Sequence, residues 1–260
     1  SRQPFKQIRV IDSSSVDKVK NMKSNYKRLK LDCLIILGGN GTHKTANLLS
    51  EEGLNVITLP KTIDNDIWNT DMTFGFSSAV EIASHVIDCI HTTATSHGRV
   101  FIVEVMGHKA GWLTLQAGIA GGAGKRFSIL AVAEGALSAE EARMPKKAFK
   151  SERSAMAYPS ISYRLADEIG KKTGREIRVT VPGHFQRGGS PCPYDRILAT
   201  RFGAAATGLI AEEKYGCMVG LKSGHIVPVP LKDVAGRLKT VPSDCELIKT
   251  ARDIGISFGD

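Results

Sequence analysis

The chain has 260 residues, 42% hydrophobic and 23% charged, with a formal net charge of +9. That is enough for one large globular domain or two small ones, while no apolar run approaches the ~20 residues of a membrane-spanning helix and no signal peptide is legible at the start. Five scattered cysteines without a C-x-x-C (Cys33, Cys89, Cys192, Cys217, Cys245) read as reduced thiols of a cytosolic protein, and the basic runs at 18–30 and 146–153 hold a single aromatic each, Tyr26 and Phe149, too few for the stacking platforms of a nucleic-acid surface.

In chain order, residues 17–31 carry a helical apolar stripe (Val19, Met22, Tyr26, Leu29). A short strand at 33–37 runs into Gly38-Gly39-Asn40-Gly41-Thr42, and a helix is expected from about Lys44 to Glu52, closed by Gly53. Strand 54–59 leads into PKTIDNDI, residues 60–67. A helix follows over 76–92, then a strand at 100–105 ending in Met106-Gly107-His108-Lys109-Ala110-Gly111-Trp112. Next come a helix through Ala120 and a strand at 127–133. The stretch 137–175 is charged and helical, with no clear strand. Strand 177–181 runs into PGHFQRGGS, followed by a helix over about 195–214. This β-loop-α alternation predicts an α/β fold with largely parallel sheets.

Four polar loops therefore follow the C-terminal ends of predicted parallel strands, where open α/β sheets gather their ligands. In GGNGT, glycines permit positive φ and close approach of backbone N–H groups to a phosphate, aided by the following helix N-terminus. In PKTIDNDI, Asp64 and Asp66 are expected to alternate along an extended loop. One carboxylate would then accept a hydroxyl proton while the other holds a metal or neighbouring N–H groups, with Thr62 placed to bond a phosphate oxygen. An Asx-type turn about Asn65 accounts for one of these polar residues but not for the set. In the last loop, His184 and Arg187, with Arg178, offer charge-assisted donors suited to a sugar phosphate.

Together GGNGT, PKTIDNDIWNTDMTFGF, SHGRVFIVEVMGHKAGW and TVPGHFQRGGSPCPYDRILATRFG resemble the 6-phosphofructokinase family, in the family's order and over most of the chain. The resemblance implies two Rossmann-like subdomains: residues 1–95 as the rest of a donor subdomain whose first Gly-rich loop is absent, 96–200 as the sugar-phosphate subdomain, and 201–260 as a C-terminal helix returning toward the donor side. It implies transfer of a phosphoryl group to the 1-hydroxyl of fructose 6-phosphate, as in glycolysis, with Mg²⁺, in a cytoplasmic homo-oligomer (dimer or tetramer). Asp64 is then the general base, supported by Thr62 and Asp66. Arg2 and Lys61 stabilise the transferring phosphate. Thr62, Ile63, Met106, Gly107, His108, His184, Phe185, Gln186 and Arg187 line the sugar-phosphate site, and Arg99 and Arg178 reach into a neighbouring subunit's site. Arg2, Gln3, Gly38, Gly39, Asn40, Gly41 and Thr42 hold the donor, with Asn40 and Asp66 at the metal.

The family usually has Asp where this chain has Asn40, and Arg where it has His108; both changes remove charge from the site and open the alternative of a catalytically weak, regulatory relative. A family segment containing a substrate-contacting Glu is expected to be missing between Ala123 and Gly124. Gly41 leaves room for the α-phosphate of ATP, whereas Lys61 is the residue of pyrophosphate users. Steric and like-charge exclusion is the harder constraint, so ATP is the favoured donor and pyrophosphate the alternative. An NAD-type kinase shares a GGDGT loop, but PGHFQRGG argues against that reading.

Overall fold

In a computed structural model, the described residues are 18–97, 99–122, 129–155 and 160–259. Arg2, Gln3 and the junction of Ala123 with Gly124 lie outside them. The described residues sort into two compact units. The first comprises residues through Thr62, then Asp66–Phe74 and Pro193–Lys239; the second comprises Ile63–Asn65, most of Gly75–Cys192, and the chain from Thr240 onward.

The first unit holds helix α1 (Lys18–Arg28), strand β1 (Leu34–Gly38), helix α2 (Asn40–Glu51) and strand β2 (Val56–Pro60). Its remaining elements, α8 (Pro193–Ala211), β6 (Cys217–Lys222), β7 (His225–Pro230) and the short α9 (Leu231–Val234), come from later in the chain. The sheet order is β1-β2-β6-β7, parallel except for β7. All five residues of β2 are buried, because helices cover both faces. Val56 and Met218 pack with Ala46 and Leu49 of α2 on one face. Ile57, Leu59, Cys217 and Val219 pack on the other with Leu198, Phe202 and Ala206, which recur every four residues along α8.

The second unit holds α3 (Phe76–His97), β3 (Val100–Val105), α4 (Trp112–Gly122) and β4 (Ile129–Ala133). Then follow α5 (Ala139–Arg143), α6 (Lys146–Ala155), α7 (Ile161–Thr173), β5 (Ile177–Thr180), a 3₁₀ turn (Gly183–Arg187) and α10 (Glu246–Asp253). The sheet is parallel, β4-β3-β5. Among the described residues no helix is long and apolar enough to cross a membrane.

The α/β class and the predominance of parallel pairing are as expected; the boundaries at 95 and 200 are not. Helix α3 belongs to the second unit, where its Ile87 packs against Gly121 of α4. Helix α8 belongs to the first, through its apolar stripe on β2 and β6. Residues 240–259 return to the second unit, where the Val241 N–H donates to the Ala110 carbonyl and Ile256 packs against Gly122. The β6–β7 hairpin was not foreseen. Its turn, Ser223-Gly224, has φ of 47° and 81°, the two positive angles of a type I′ turn.

Candidate active site

In the first unit, β1 passes into α2 without a spacer: the helix begins at Asn40, not Lys44, so the Gly-rich turn is itself a helix N-terminus. Gly39 caps it with no side chain and a φ of −88°. None of Gly38, Gly39 and Gly41 has a positive φ, so the expected left-handed turn is not their role. Gly38 serves close packing instead, since a Cβ there would lie 2.3 Å from Thr42 Oγ1. A Cβ on Gly41 would meet nothing within 4 Å. The turn thus presents the leading N–H groups of a helix, the arrangement that binds phosphate.

Three bonds tie this turn to its neighbours. The Lys61 N–H donates to the Gly38 carbonyl at 3.0 Å, joining the two loops. Asn40 Nδ2 donates to the Arg237 carbonyl at 2.6 Å, which leaves Oδ1 as the atom a cation would meet. A carboxylate at position 40 could not make that bond. His43, fully buried, shares its Nδ1 with the Gly39 carbonyl at 2.9 Å. Burial holds its imidazole below the ordinary value of 6.5, and the Gly39 bond opposes this only in part.

Below pH 6.5 the unfolded chain takes up a proton that folded His43 refuses, so stability present above 6.5 is lost as pH falls into that window. The unfolding free energy of the wild type is expected to fall more steeply between pH 7.5 and 5.5 than that of His43→Gln, by up to about 1.4 kcal/mol per pH unit, with its thermal midpoint following. Equal slopes in a pH series of melts would contradict this.

The acidic loop is not extended. Asn65 sits at φ 49°, a left-handed conformation that Asn tolerates, so the chain turns between the aspartates. Asp64 is half-buried and Asp66 buried, and Oδ1 of each is shielded from solvent. Thr62 lies beside Gly39, and its carbonyl accepts from Thr73 Oγ1 at 2.9 Å. The Asp66 carbonyl accepts from the Lys239 N–H at 2.9 Å. Burial draws the Lys239 ammonium down to about 8, while the Asp71 and Asp66 carboxylates oppose that fall.

The turn also divides the loop between units. Thr62 and Asp66 belong to the first, Ile63, Asp64 and Asn65 to the second. The second unit also holds the loops after β3 and β5. Gln186, buried, accepts from the Met106 N–H and donates to the Gly183 carbonyl, both at 3.2 Å. It therefore locks the two loops together. His184, Phe185 and Arg187 are exposed, as is His108, which has a φ of 52°.

Glu134, at the end of β4, went unread in the sequence. Its Oε1 accepts from the N–H groups of Gly107 and His108, at 3.2 and 2.8 Å. The following Gly135 is obligatory, because a Cβ there would lie 1.9 Å from the His108 carbonyl oxygen. A carboxylate followed by glycine just past a strand was the available signal. Its presence supplies a glutamate at this loop independently of any segment at 123–124.

Arg99 and Arg178 are not brought to these loops within the chain. Arg99 precedes β3 and the loop follows it, so six residues, or about 20 Å, separate them. Arg178 lies beside Phe101 near the start of β5. Both arginines converge on exposed Glu176, Arg99 Nε at 2.6 Å and Arg178 through its terminal nitrogen. The hydrogen bond from Arg99, with Arg178 beside it, holds that carboxyl below its usual range.

Residues 4–125 and 123–210 match the Phosphofructokinase family model. An ATP-dependent 6-phosphofructokinase of Spirochaeta thermophila is 54% identical over 94% of this chain and 73% of its own. One from Propionibacterium freudenreichii is 43% identical over 94% and 78%. Among solved structures, Pichia pastoris phosphofructokinase in the T-state superposes with a TM-score of 0.72 at 27% identity, over 91% of this chain and 28% of that one. A pyrophosphate-dependent phosphofructokinase from Nitrosospira multiformis gives 0.76 at 17% identity over 92% and 70%, a likeness of fold alone.

Proposed function

Because the chain belongs to the phosphofructokinase family, we propose that it is a 6-phosphofructokinase, transferring the terminal phosphoryl group of ATP to the 1-hydroxyl of fructose 6-phosphate. What carries the reading is the placement of Asp64 in the same unit as the Met106–His108 and Gly183–Arg187 loops, the side on which a sugar phosphate would lie. Asp64 accepts the hydroxyl proton as the sugar oxygen bonds to phosphorus and the bond to the leaving nucleotide phosphate breaks. Glu134 and Gln186 hold the sugar-side loop in shape, and His184 and Arg187 offer donors to the 6-phosphate. The α2 N-terminus, with Gly38 to Thr42, receives the donor phosphates.

The oxygen donors suit Mg²⁺, which keeps few protein ligands and several phosphate or water oxygens. Asp66 and Oδ1 of Asn40 would hold it. When bound, it offsets charge on the phosphates. Arg2 and Gln3, on the strength of the resemblance, join the donor side. The reaction is assigned to the cytoplasm and to glycolysis. The separation of Arg99 and Arg178 from their own chain's loops supports a homo-oligomer, dimer or tetramer, in which they serve a neighbour's site.

Exposed Lys61 favours the second reading, pyrophosphate as donor. Open space at Gly41 favours ATP. Steady-state assays of the full-length protein with fructose 6-phosphate, Mg²⁺ and each donor decide between them. ATP is expected to give the higher kcat/KM. Gly41→Asp should lower that value by about a hundredfold for ATP, through charge repulsion of ~3 kcal/mol, with a much smaller effect on pyrophosphate. Lys61→Gly should lower pyrophosphate use selectively. Turnover with neither donor would leave the catalytically weak relative, for which Asn40 and His108 speak.

A further inference from the structure

The segment 237–239 touches both residues assigned to the metal. The Arg237 carbonyl accepts from the Asn40 side chain at 2.6 Å, and two residues later the Lys239 N–H donates to the Asp66 carbonyl at 2.9 Å. Between these two bonds, Leu238 forms an antiparallel bridge with Ile67. Lys239 then turns its side chain along the same loop. Its Nζ donates to the carbonyls of Thr70 and Asp71, at 2.7 and 2.9 Å. Successive carbonyls of an extended strand point to opposite sides, so two that share one nitrogen mark a bend held by that nitrogen. The half-buried ammonium also lies within electrostatic reach of the Asp66 and Asp71 carboxylates.

We propose that Lys239 is a positioning residue for phosphoryl transfer, fastening the 66–71 loop so that Asp66 stays in register with Asn40 across the strap formed by residues 237–239. This rests on the function proposed above. Asn40 begins α2 and Asp66 begins a separate stretch of chain, and both are hydrogen-bonded to one three-residue segment. A neutral side chain at 239 would leave two carbonyls without their charged donor and Asp66 without its neighbouring cation, and the loop would relax. The sugar-side loops belong to the other unit and would be untouched.

The test uses full-length protein carrying Lys239→Met, Lys239→Gln or Lys239→Arg. Activity is measured with fructose 6-phosphate and ATP over a range of Mg²⁺ concentrations, and ADP binding is measured by calorimetry with and without Mg²⁺. Lys239→Met and Lys239→Gln are expected to lower kcat about thirtyfold and raise the half-saturating Mg²⁺ about tenfold, with KM for the sugar within about twofold. They should weaken ADP binding with Mg²⁺ by about tenfold and leave Mg²⁺-free binding unchanged. Lys239→Arg, which keeps charge and donors, should recover most of both. Wild-type kcat and Mg²⁺ dependence in either neutral variant would overturn the proposal, and so would a loss confined to the sugar's KM. Failure of both neutral variants to fold would overturn it too, because Lys239 would then serve the fold. If the wild type itself turns nothing over, the function proposed above fails, and the Mg²⁺-dependent binding decides the strap alone; absence of that binding in wild type would count against both.

Discussion

Asp64→Asn is expected to lower kcat by about a thousandfold while leaving KM for fructose 6-phosphate within a small factor, the pattern of a lost general base rather than lost binding. Asparagine keeps the size of the side chain but cannot accept the sugar's proton. The turn there is made by the backbone of Asn65, with a φ of 49°, and asparagine at 64 preserves the side chain's shape beside it. Melting of the variant should therefore follow the wild type closely. Steady-state kinetics with ATP at saturating Mg²⁺ checks this, and retention of full turnover by a well-folded Asp64→Asn protein would remove the chemistry assigned to the loop.

The second large effect lies away from the site, in the charged stretch that the sequence showed only as helical. Glu141 closes a capping box with Ser138 at the start of α5. Its side chain is 3% exposed and receives Arg153 Nε at 3.0 Å and Arg164 Nη1 at 2.8 Å. Arg153 reaches on to the Ala136 carbonyl and stacks on Phe149, so one carboxylate joins α5, α6 and α7. The hydrogen bond from Arg153, foremost among these, lowers the carboxyl from 4.5 to about 2, against the burial that would raise it. A folded pKa below the unfolded one contributes stability that is fully present above about 4.5 and is lost as pH falls through about 2. Glu141→Gln is expected to cost about 3 kcal/mol at pH 7, since the amide keeps the cap but strands two partly buried guanidinium groups. The thermal midpoint should fall by about 6–12 °C, and the gap between variant and wild type should close toward pH 2. A gap that stays constant from pH 7 to pH 2 would show that the carboxylate's charge is not what holds the helices.

Much of this was readable from residue order. Strands at 34–38, 56–60 and 100–105 announce themselves as short apolar runs ending in polar, Gly-rich loops, and helix 76–97 by its 3.6-residue pattern. What escaped is instructive in physical terms. Residues 217–230 form a hairpin whose two strands carry Gly220, Pro228 and Pro230, poor strand formers that tertiary pairing overrides. The division into units was hidden because it depends on which helix covers which sheet face. Helix α8 shows the same apolar stripe whichever sheet it packs upon. In the site, the aspartates and glycines stood out by type and spacing. Glu134 and Lys239 did not, since each acts on backbone groups of a loop distant in sequence, a partnership no local pattern encodes. Gln186 was read as facing the sugar, yet its burial commits the amide to two backbone groups.

The sheet of the first unit has a consequence for how the protein is made. Strand β2 lies against β6, with Ile57 beside Cys217, so about 160 residues of chain separate two neighbours in one parallel sheet. A ribosome delivers almost the whole second unit in that interval. The β2 strand, buried at every position once folded, must therefore wait through that interval with an unpaired edge, the condition that exposes nascent chains to aggregation and to chaperones. Neither half can be excised as a continuous piece, and the late-arriving segment around residue 239 is also the last part of the first unit to reach its place.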